Sequence, residues 1–214
     1  MKAVFFDLDN TLYSAACNLF GLIDVRINRY MHEVVGIPAE SVDALRCHYW
    51  RQYGVTLRGL MEEHGTDPED YLHYVHDIDV TSRLRPDPQL RRQLDAMPQR
   101  KFVFTNGTAE HAERVLGCLG VRDCFEELFD IRVSDYCPKP QLPPYQAVLR
   151  RTQVAATEAL MVEDSADNLT PAGRLGMRTI LVASHVRRPP QADAVVASVH
   201  QVPALVAHWQ RQLA

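Results

Sequence analysis

The 214-residue sequence contains no run approaching the roughly 18 to 20 apolar residues that a membrane-spanning helix needs, so no membrane span is expected. It also lacks an excess of positive charge: 23 Lys and Arg stand against 27 Asp and Glu, a formal net charge of -4. Neither a nucleic-acid polymer nor an anionic membrane is expected as a partner, because no strong basic field is available to hold one. Five cysteines, Cys17, Cys47, Cys118, Cys124 and Cys137, make an odd count without a CxxC pair. That argues against a disulfide framework and against a cysteine zinc site. His32, His48, His64, His73 and His76 show no HExxH or other paired-ligand spacing, so no histidine metal site is assigned. Internal repeats and low-complexity tracts are missing too. The start of the chain runs from Lys2 directly into VFF and acidic residues, unlike a signal peptide, and a cytoplasmic location is expected.

What is present is a series of short apolar runs at wide intervals: Ala3 to Phe6, Phe102 to Thr105, Phe129 to Val133, Ala159 to Val162 and Thr179 to Ala183. Unbroken runs of this length suit strands buried on both faces, and segments of helical length lie between them, including Ala109 to Leu119 and Pro144 to Arg151. The pattern predicts an α/β fold with a parallel sheet covered by helices. About 95 residues separate the first two runs, far more than one crossover helix requires. Between Ala15 and Ser82 the apolar spacing is helical, as in Leu19, Leu22, Ile23, Ile27, Tyr30 and Met31, and no strand pattern appears. The expected organisation is a core of residues 1–14 and 83–214, with a small helical domain of residues 15–82 inserted after the first strand.

Four constellations carry chemistry. In FFDLDNTLY, alternation along a strand sends Asp7 and Asp9 out on the same side while Leu8 turns to the core. Two neighbouring carboxylates stay ionised together only beside a cation; otherwise one takes up a proton and becomes a general acid. A plainer use of Asp9, Asn10 and Thr11 is to cap the following helix. In FTNGT, a strand ends in Thr105, Asn106 and Gly107 just before a helix, the setting in which backbone amides cradle phosphate oxygens. Lys139 is flanked by Pro138 and Pro140, which hold it on a stiff loop. MVEDSADNL places Glu163 and Asp164 at another strand end, with Asp167 and Asn168 a turn later. The hard oxygens of Asp7, Asp9 and Asp164 suit Mg²⁺ rather than zinc.

Taken in order, DLDNT at Asp7 to Thr11, Thr105 in FTNGT, Lys139 in PKP, and Glu163 and Asp164 in EDSADN resemble the motifs of the haloacid dehalogenase superfamily of phosphohydrolases. FFDLDNTLY and the stretch YGVTLRGLMEEHGTDPEDYLHYVHDIDV further resemble the pyrimidine 5′-nucleotidases within it. The resemblance implies a Rossmann-like core with a helical cap. It also implies Asp7 as nucleophile, Asp9 as acid and base, Thr105 with the backbone of Asn106 as phosphate holders, and Lys139 as the balancing charge. Mg²⁺ would be held by Asp7, the Asp9 carbonyl and Asp164. Many members carry a second Asp four residues after the metal-binding one; here that position is Asn168, and Glu163 is expected to assist through metal-bound water.

The expected reaction is Mg²⁺-dependent hydrolysis of a small phosphomonoester, a nucleoside 5′-monophosphate above all, by a monomer or homodimer. A phosphosugar mutase or sugar phosphatase is the alternative among enzymes. A receiver-like phosphoacceptor module is the alternative of another class, although such a module has no inserted domain. Substrate choice should reside in the cap, where Asn18, Arg46, His48, Tyr49, Arg51 and Tyr53 offer rings to stack on a base and groups to hydrogen-bond to it.

Overall fold

The structure, a computed structural model, describes residues 1–184 and 187–213. Six strands form one parallel sheet: β1 (Ala3–Phe6), β2 (Arg100–Phe104), β3 (Glu127–Phe129), β4 (Ala159–Glu163), β5 (Arg178–Val182) and β6 (Ala194–Val196), in the order β3-β2-β1-β4-β5-β6. β1 and β4, at the centre, are buried at every residue, which is why their sequences are continuously apolar. Alternation divides the side chains between two cores. Val4, Phe6, Val103, Leu160 and Val162 pack on one face, whereas Ala3, Phe5, Phe102, Phe104 and Met161 pack on the other.

The run from Phe129 to Val133 is not one strand. β3 ends at Phe129, and Asp130 then caps a short 3₁₀ turn over Ile131–Ser134, its carboxylate accepting the Arg132 N–H at 3.0 Å. A capping Asp inside an apolar run redirects the chain despite the strand propensity around it. β6, only three residues long, has too little pattern to stand out in the sequence.

Between β1 and β2 lie four helices: α1 (Phe20–Arg29), which runs on through one π turn at Tyr30–Val34, α2 (Ala39–Tyr53), α3 (Thr56–His64) and α4 (Pro68–His76). α2 and α3 end at Gly54 and Gly65, whose φ values of 90° and 63° fall in the left-handed region where glycine closes a helix without a Cβ penalty. Asp67 caps α4, with Pro68 in its first turn. Ile23, Ile27, Met31, Tyr49, Leu60 and Val75 give these helices their own apolar core, which Ile131 joins from the sheet side. The remaining helices, α5 (Pro88–Asp95), α6 (Ala109–Leu119), α7 (Leu142–Thr152), α8 (Ala166–Leu175) and α9 (Val202–Leu213), accompany the sheet. Among the described residues, no helix is long and apolar enough to cross a membrane.

Because the strand order reverses between β1 and β4, the chain departs in opposite directions from these neighbours. That opens a crevice at their carboxyl ends, where doubly wound sheets place their ligands.

Candidate active site

β1 delivers Asp7 to this crevice. Its backbone N–H bonds to the Val162 carbonyl at 2.9 Å, so strand pairing continues one residue past β1 and places the Asp7 side chain at the rim. Leu8 is fully buried, and a tight turn follows in which Leu12 N–H bonds back to the Leu8 carbonyl at 3.0 Å. Asp9, Asn10 and Thr11 cap no helix; the next helical turn is capped by Ser14. Instead, the Thr11 hydroxyl donates to Asp7 Oδ2 at 2.9 Å.

Lys139 is buried almost completely, and its ammonium fills all three donor positions. It donates to Asp7 Oδ1 at 2.7 Å, to Glu163 Oε2 at 2.7 Å and to the Phe104 carbonyl at 2.8 Å. The loop that carries it is pinned by the Asn106 side chain. The amide of Asn106 donates to the Lys139 carbonyl at 3.0 Å, and its oxygen accepts the Lys139 N–H at 2.8 Å. Asn106 thus ties the loop after β2 to the lysine loop, a role that its position in FTNGT does not announce. Thr105 is buried, and its hydroxyl oxygen accepts the Gly107 N–H at 2.9 Å.

Asp7, Glu163 and Asp164 each offer an oxygen within 4.8 Å of the other two. Three carboxylates face one ammonium, so two negative charges stay unbalanced when all are ionised. Burial, then the charge of Glu163, pushes Asp7 up to about 7, and Lys139 only partly opposes the rise. Burial likewise pushes Glu163 to about 7 and raises Asp164 above its ordinary range. Burial works against the Lys139 ammonium, but Asp7 and Glu163 outweigh it and hold the lysine above its usual value. A cluster of hard oxygens with too little positive charge fits a divalent cation of the Mg²⁺ kind. Glu163 stands within the cluster, alongside Asp7 and Asp164. Asp9 does not point there: its Oδ1 accepts from the Tyr13 hydroxyl at 2.6 Å and lies 2.9 Å from His111 Nε2.

A cleft of about 1050 Å³ joins this cluster to the inserted helices. Asp7, Asp9, Thr105, Asn106, Gly107, Lys139, Glu163, Asp164 and Asn168 line its sheet side, and Phe20, Arg46, Trp50, Arg51 and His76 are among the residues lining the helical side. Of the helical residues picked from the sequence, Arg46 and Arg51 line the cleft, the Arg46 guanidinium held by Asp24 at 2.5 Å and Asn28 at 2.7 Å, and His48 does not. Tyr49, Tyr53 and Asn18 do not line it. Tyr49 is fully buried in the helical core, its hydroxyl bonded to Glu63 at 3.0 Å; Tyr53 also reaches Glu63, at 3.2 Å. Asn18 closes a 3₁₀ turn in the left-handed region and abuts Gly21. For Tyr49 the reason is helical phase. Asp43, Arg46, Cys47 and Trp50 recur at the three-to-four-residue spacing of one face, whereas Val42 and Tyr49 turn to the helical core; Tyr53 shares the phase of Arg46 but is the last residue of α2, where it packs beside that core. Trp50, 57% exposed, was therefore legible in the same RCHYWRQYG segment.

A doubly wound parallel sheet with an acidic cluster and a buried lysine at its switch point, opening into a cleft under inserted helices, defines an α/β enzyme. Residues 1–176 match the haloacid dehalogenase-like hydrolases, and the chain belongs to that family. It is 25% identical over 197 residues to phosphate metabolism protein 8 of Saccharomyces cerevisiae, covering 84% of this chain but only 61% of the relative, less than two thirds of its length. It is also 25% identical over 199 residues to the glyceraldehyde 3-phosphate phosphatase of Methanocaldococcus jannaschii, covering 85% of each. In fold it resembles CbbY from Rhodobacter sphaeroides, solved in complex with phosphate, with a TM-score of 0.66, 20% identity, and coverage of 94% and 96% of the two chains.

Proposed function

We propose that the protein is a Mg²⁺-dependent phosphomonoesterase whose substrates are nucleoside 5′-monophosphates. The observation that carries the reading is the Asp7–Lys139–Glu163 contact: a carboxylate and a buried ammonium held 2.7 Å apart, beside the Thr105–Gly107 turn and open to the cleft. An Asp7 oxygen attacks phosphorus as the ester P–O bond breaks, and Asp9 relays to the departing alkoxide the proton that a phosphomonoester monoanion brings; burial opposes the charge on Asp9, but His111 and Tyr13 outweigh it and hold its carboxyl below the ordinary range before substrate arrives. Asp9 then takes a proton from water as the water oxygen attacks phosphorus and releases Asp7. Lys139 and the backbone amide of Asn106 face the charge that builds on the phosphoryl oxygens, the Gly107 N–H being taken by the Thr105 hydroxyl. Held by Asp7, Asp164 and the Asp9 carbonyl, with Glu163 close by, Mg²⁺ would neutralise phosphoryl charge. Halide displacement needs no proton donor, whereas this chain retains Asp9, which favours the phosphate ester.

The leaving group falls to the inserted helices, read here as a cap of residues 15–82. Trp50 and Phe20 present exposed rings in the cleft, suited to stacking on a base, and Arg46 and Arg51 supply hydrogen-bond donors. The small archaeal relative favours a second reading, a phosphatase of triose or sugar phosphates, because the match spans 85% of both chains. The test is phosphate release over a panel of pyrimidine and purine nucleotides and sugar phosphates, with Mg²⁺ and with EDTA. Nucleotide turnover abolished by Asp7→Asn and by EDTA supports the proposal. Turnover of sugar phosphates alone overturns the nucleotide assignment, and activity that survives Asp7→Asn overturns the nucleophile.

A further inference from the structure

Away from the carboxylate cluster, two buried histidines meet behind Asp9. His111 lies in the first turn of α6, where its N–H bonds to Thr108 Oγ1 at 3.1 Å, and it is completely buried. Its Nε2 is 2.9 Å from Asp9 Oδ1, the same oxygen that the Tyr13 hydroxyl reaches at 2.6 Å. Its Nδ1 has no hydrogen-bond partner among the described residues. Asp9 is therefore the one polar contact of the imidazole, and a buried polar ring with a single partner is costly to keep unless that contact serves a purpose.

The second histidine comes from the other side of the cleft. The rings of His111 and His76, the last residue of α4, lie 4.8 Å apart with an interplanar angle of 34°. His76 Nδ1 donates to the Leu72 carbonyl at 2.9 Å, and its own backbone carbonyl accepts from Arg114, one turn along α6 from His111. The end of the inserted helices is thus held at two points by the helix that reaches Asp9. Space for the pair is left by Gly107, where a Cβ would come within 3.3 Å of His76 Nε2 and 3.6 Å of His111 Cδ2.

We infer that His111 is a positioning residue for Asp9, and that His76 backs it from the inserted helices, so that the orientation of the proton-transferring carboxylate depends on how those helices are seated. The inference rests on the acid–base role proposed for Asp9. Both donors converge on Oδ1, which fixes the carboxylate plane and leaves Oδ2 to exchange a proton with substrate or water. Without His111, the carboxylate keeps one donor and gains freedom to rotate.

The test compares kcat/KM for two esters on each full-length variant. One is an alkyl monoester that the wild type turns over, such as a nucleoside 5′-monophosphate, whose leaving oxygen needs a proton. The other is 2,4-dinitrophenyl phosphate, whose leaving group needs none. Positioned general acids contribute about 10²- to 10⁴-fold, so His111→Phe should lower kcat/KM for the alkyl ester by about 30-fold or more and for the dinitrophenyl ester by less than about threefold. His111→Gln, whose amide nitrogen can stand in for Nε2, should stay within about fivefold of wild type on the alkyl ester, and His76→Ala should shift the ratio in the same direction as His111→Phe by a smaller factor. The ratio does not depend on the folded fraction of a preparation. Should the Phe variant fail to fold, His111→Asn, whose amide is too short to reach Asp9, takes its place. Equal losses on both esters, no loss on the alkyl ester, or a Gln variant as impaired as Phe each overturn the inference while leaving the phosphatase reading intact. A wild type inactive on both esters overturns that reading and the inference with it.

Discussion

Asp7 should make the cation-free protein less stable as pH rises, and replacing it should reverse that trend. Burial and Glu163 raise its folded-state value from 3.8 to about 7, whereas in the unfolded chain it returns to its ordinary range. Between these values the native state keeps a proton that the unfolded state has lost, so stability falls with increasing pH across that window. The shift is roughly three units, and at 1.36 kcal/mol per unit it corresponds to about 4 kcal/mol in full. Asparagine carries no such charge while preserving size and an acceptor for Lys139. The unfolding free energy of Asp7→Asn relative to wild type should therefore shift in favour of the variant by about 2 to 3 kcal/mol between about pH 4.5 and about pH 7.5. Urea denaturation in EDTA, followed by far-ultraviolet circular dichroism at both pH values, measures it. A stability difference that does not change with pH, or one that shifts against the variant, would show that Lys139 fully compensates Asp7 and refute the reasoning. Millimolar Mg²⁺ should erase most of the gap, because a cation bound by Asp7 supplies the missing positive charge to the wild type alone.

Three further outcomes are expected. Trp50→Ala should raise KM for nucleotides by about tenfold, in line with about 1 to 3 kcal/mol per stacked base, while leaving KM for a ringless ester such as glycerol phosphate nearly unchanged; steady-state kinetics on both esters decide it. Asn106→Ala should lower stability by about 2 kcal/mol, since two hydrogen bonds to the Lys139 loop are lost, and should also lower kcat; chemical denaturation and phosphate release check the two effects. Gly59→Ala should destabilise the inserted helices, because its Cβ would meet the Tyr49 ring at 2.2 Å, and a lower melting temperature than wild type is the readout.

The legibility of the site varied with the kind of signal. Asp7, Thr105, Lys139, Glu163 and Asp164 could be found because each closes or directly follows a strand or sits on a proline-flanked loop, and parallel strands bring their carboxyl ends together. Tyr49 does not reach the cleft because neighbours in sequence need not share a helical face; at 100° per residue, Trp50 faces the cleft while Tyr49 faces the core. The end of β3 was missed for a different reason: a single capping aspartate, Asp130, outweighed the apolar residues around it. Asn106 carried a motif position but not its side-chain contacts, which cross to a loop 33 residues away. His111 left no pattern at all, because its partner Asp9 is 102 residues distant and only the packing of α6 against the first turn brings them together.

Alternation, apolar run length and the long interval after β1 are local properties of the chain, and they sufficed for the parallel sheet, for helices between β1 and β2 and for acidic side chains at the strand ends. Direction and partner choice are not local. The charge imbalance that raises Asp7, the clamp from Asn106 to Lys139, the two donors on Asp9 Oδ1 and the face that α2 presents to the cleft all depend on distances between segments remote in sequence. Those distances were decided only when the two cores closed around the sheet and the inserted helices came to rest on α6.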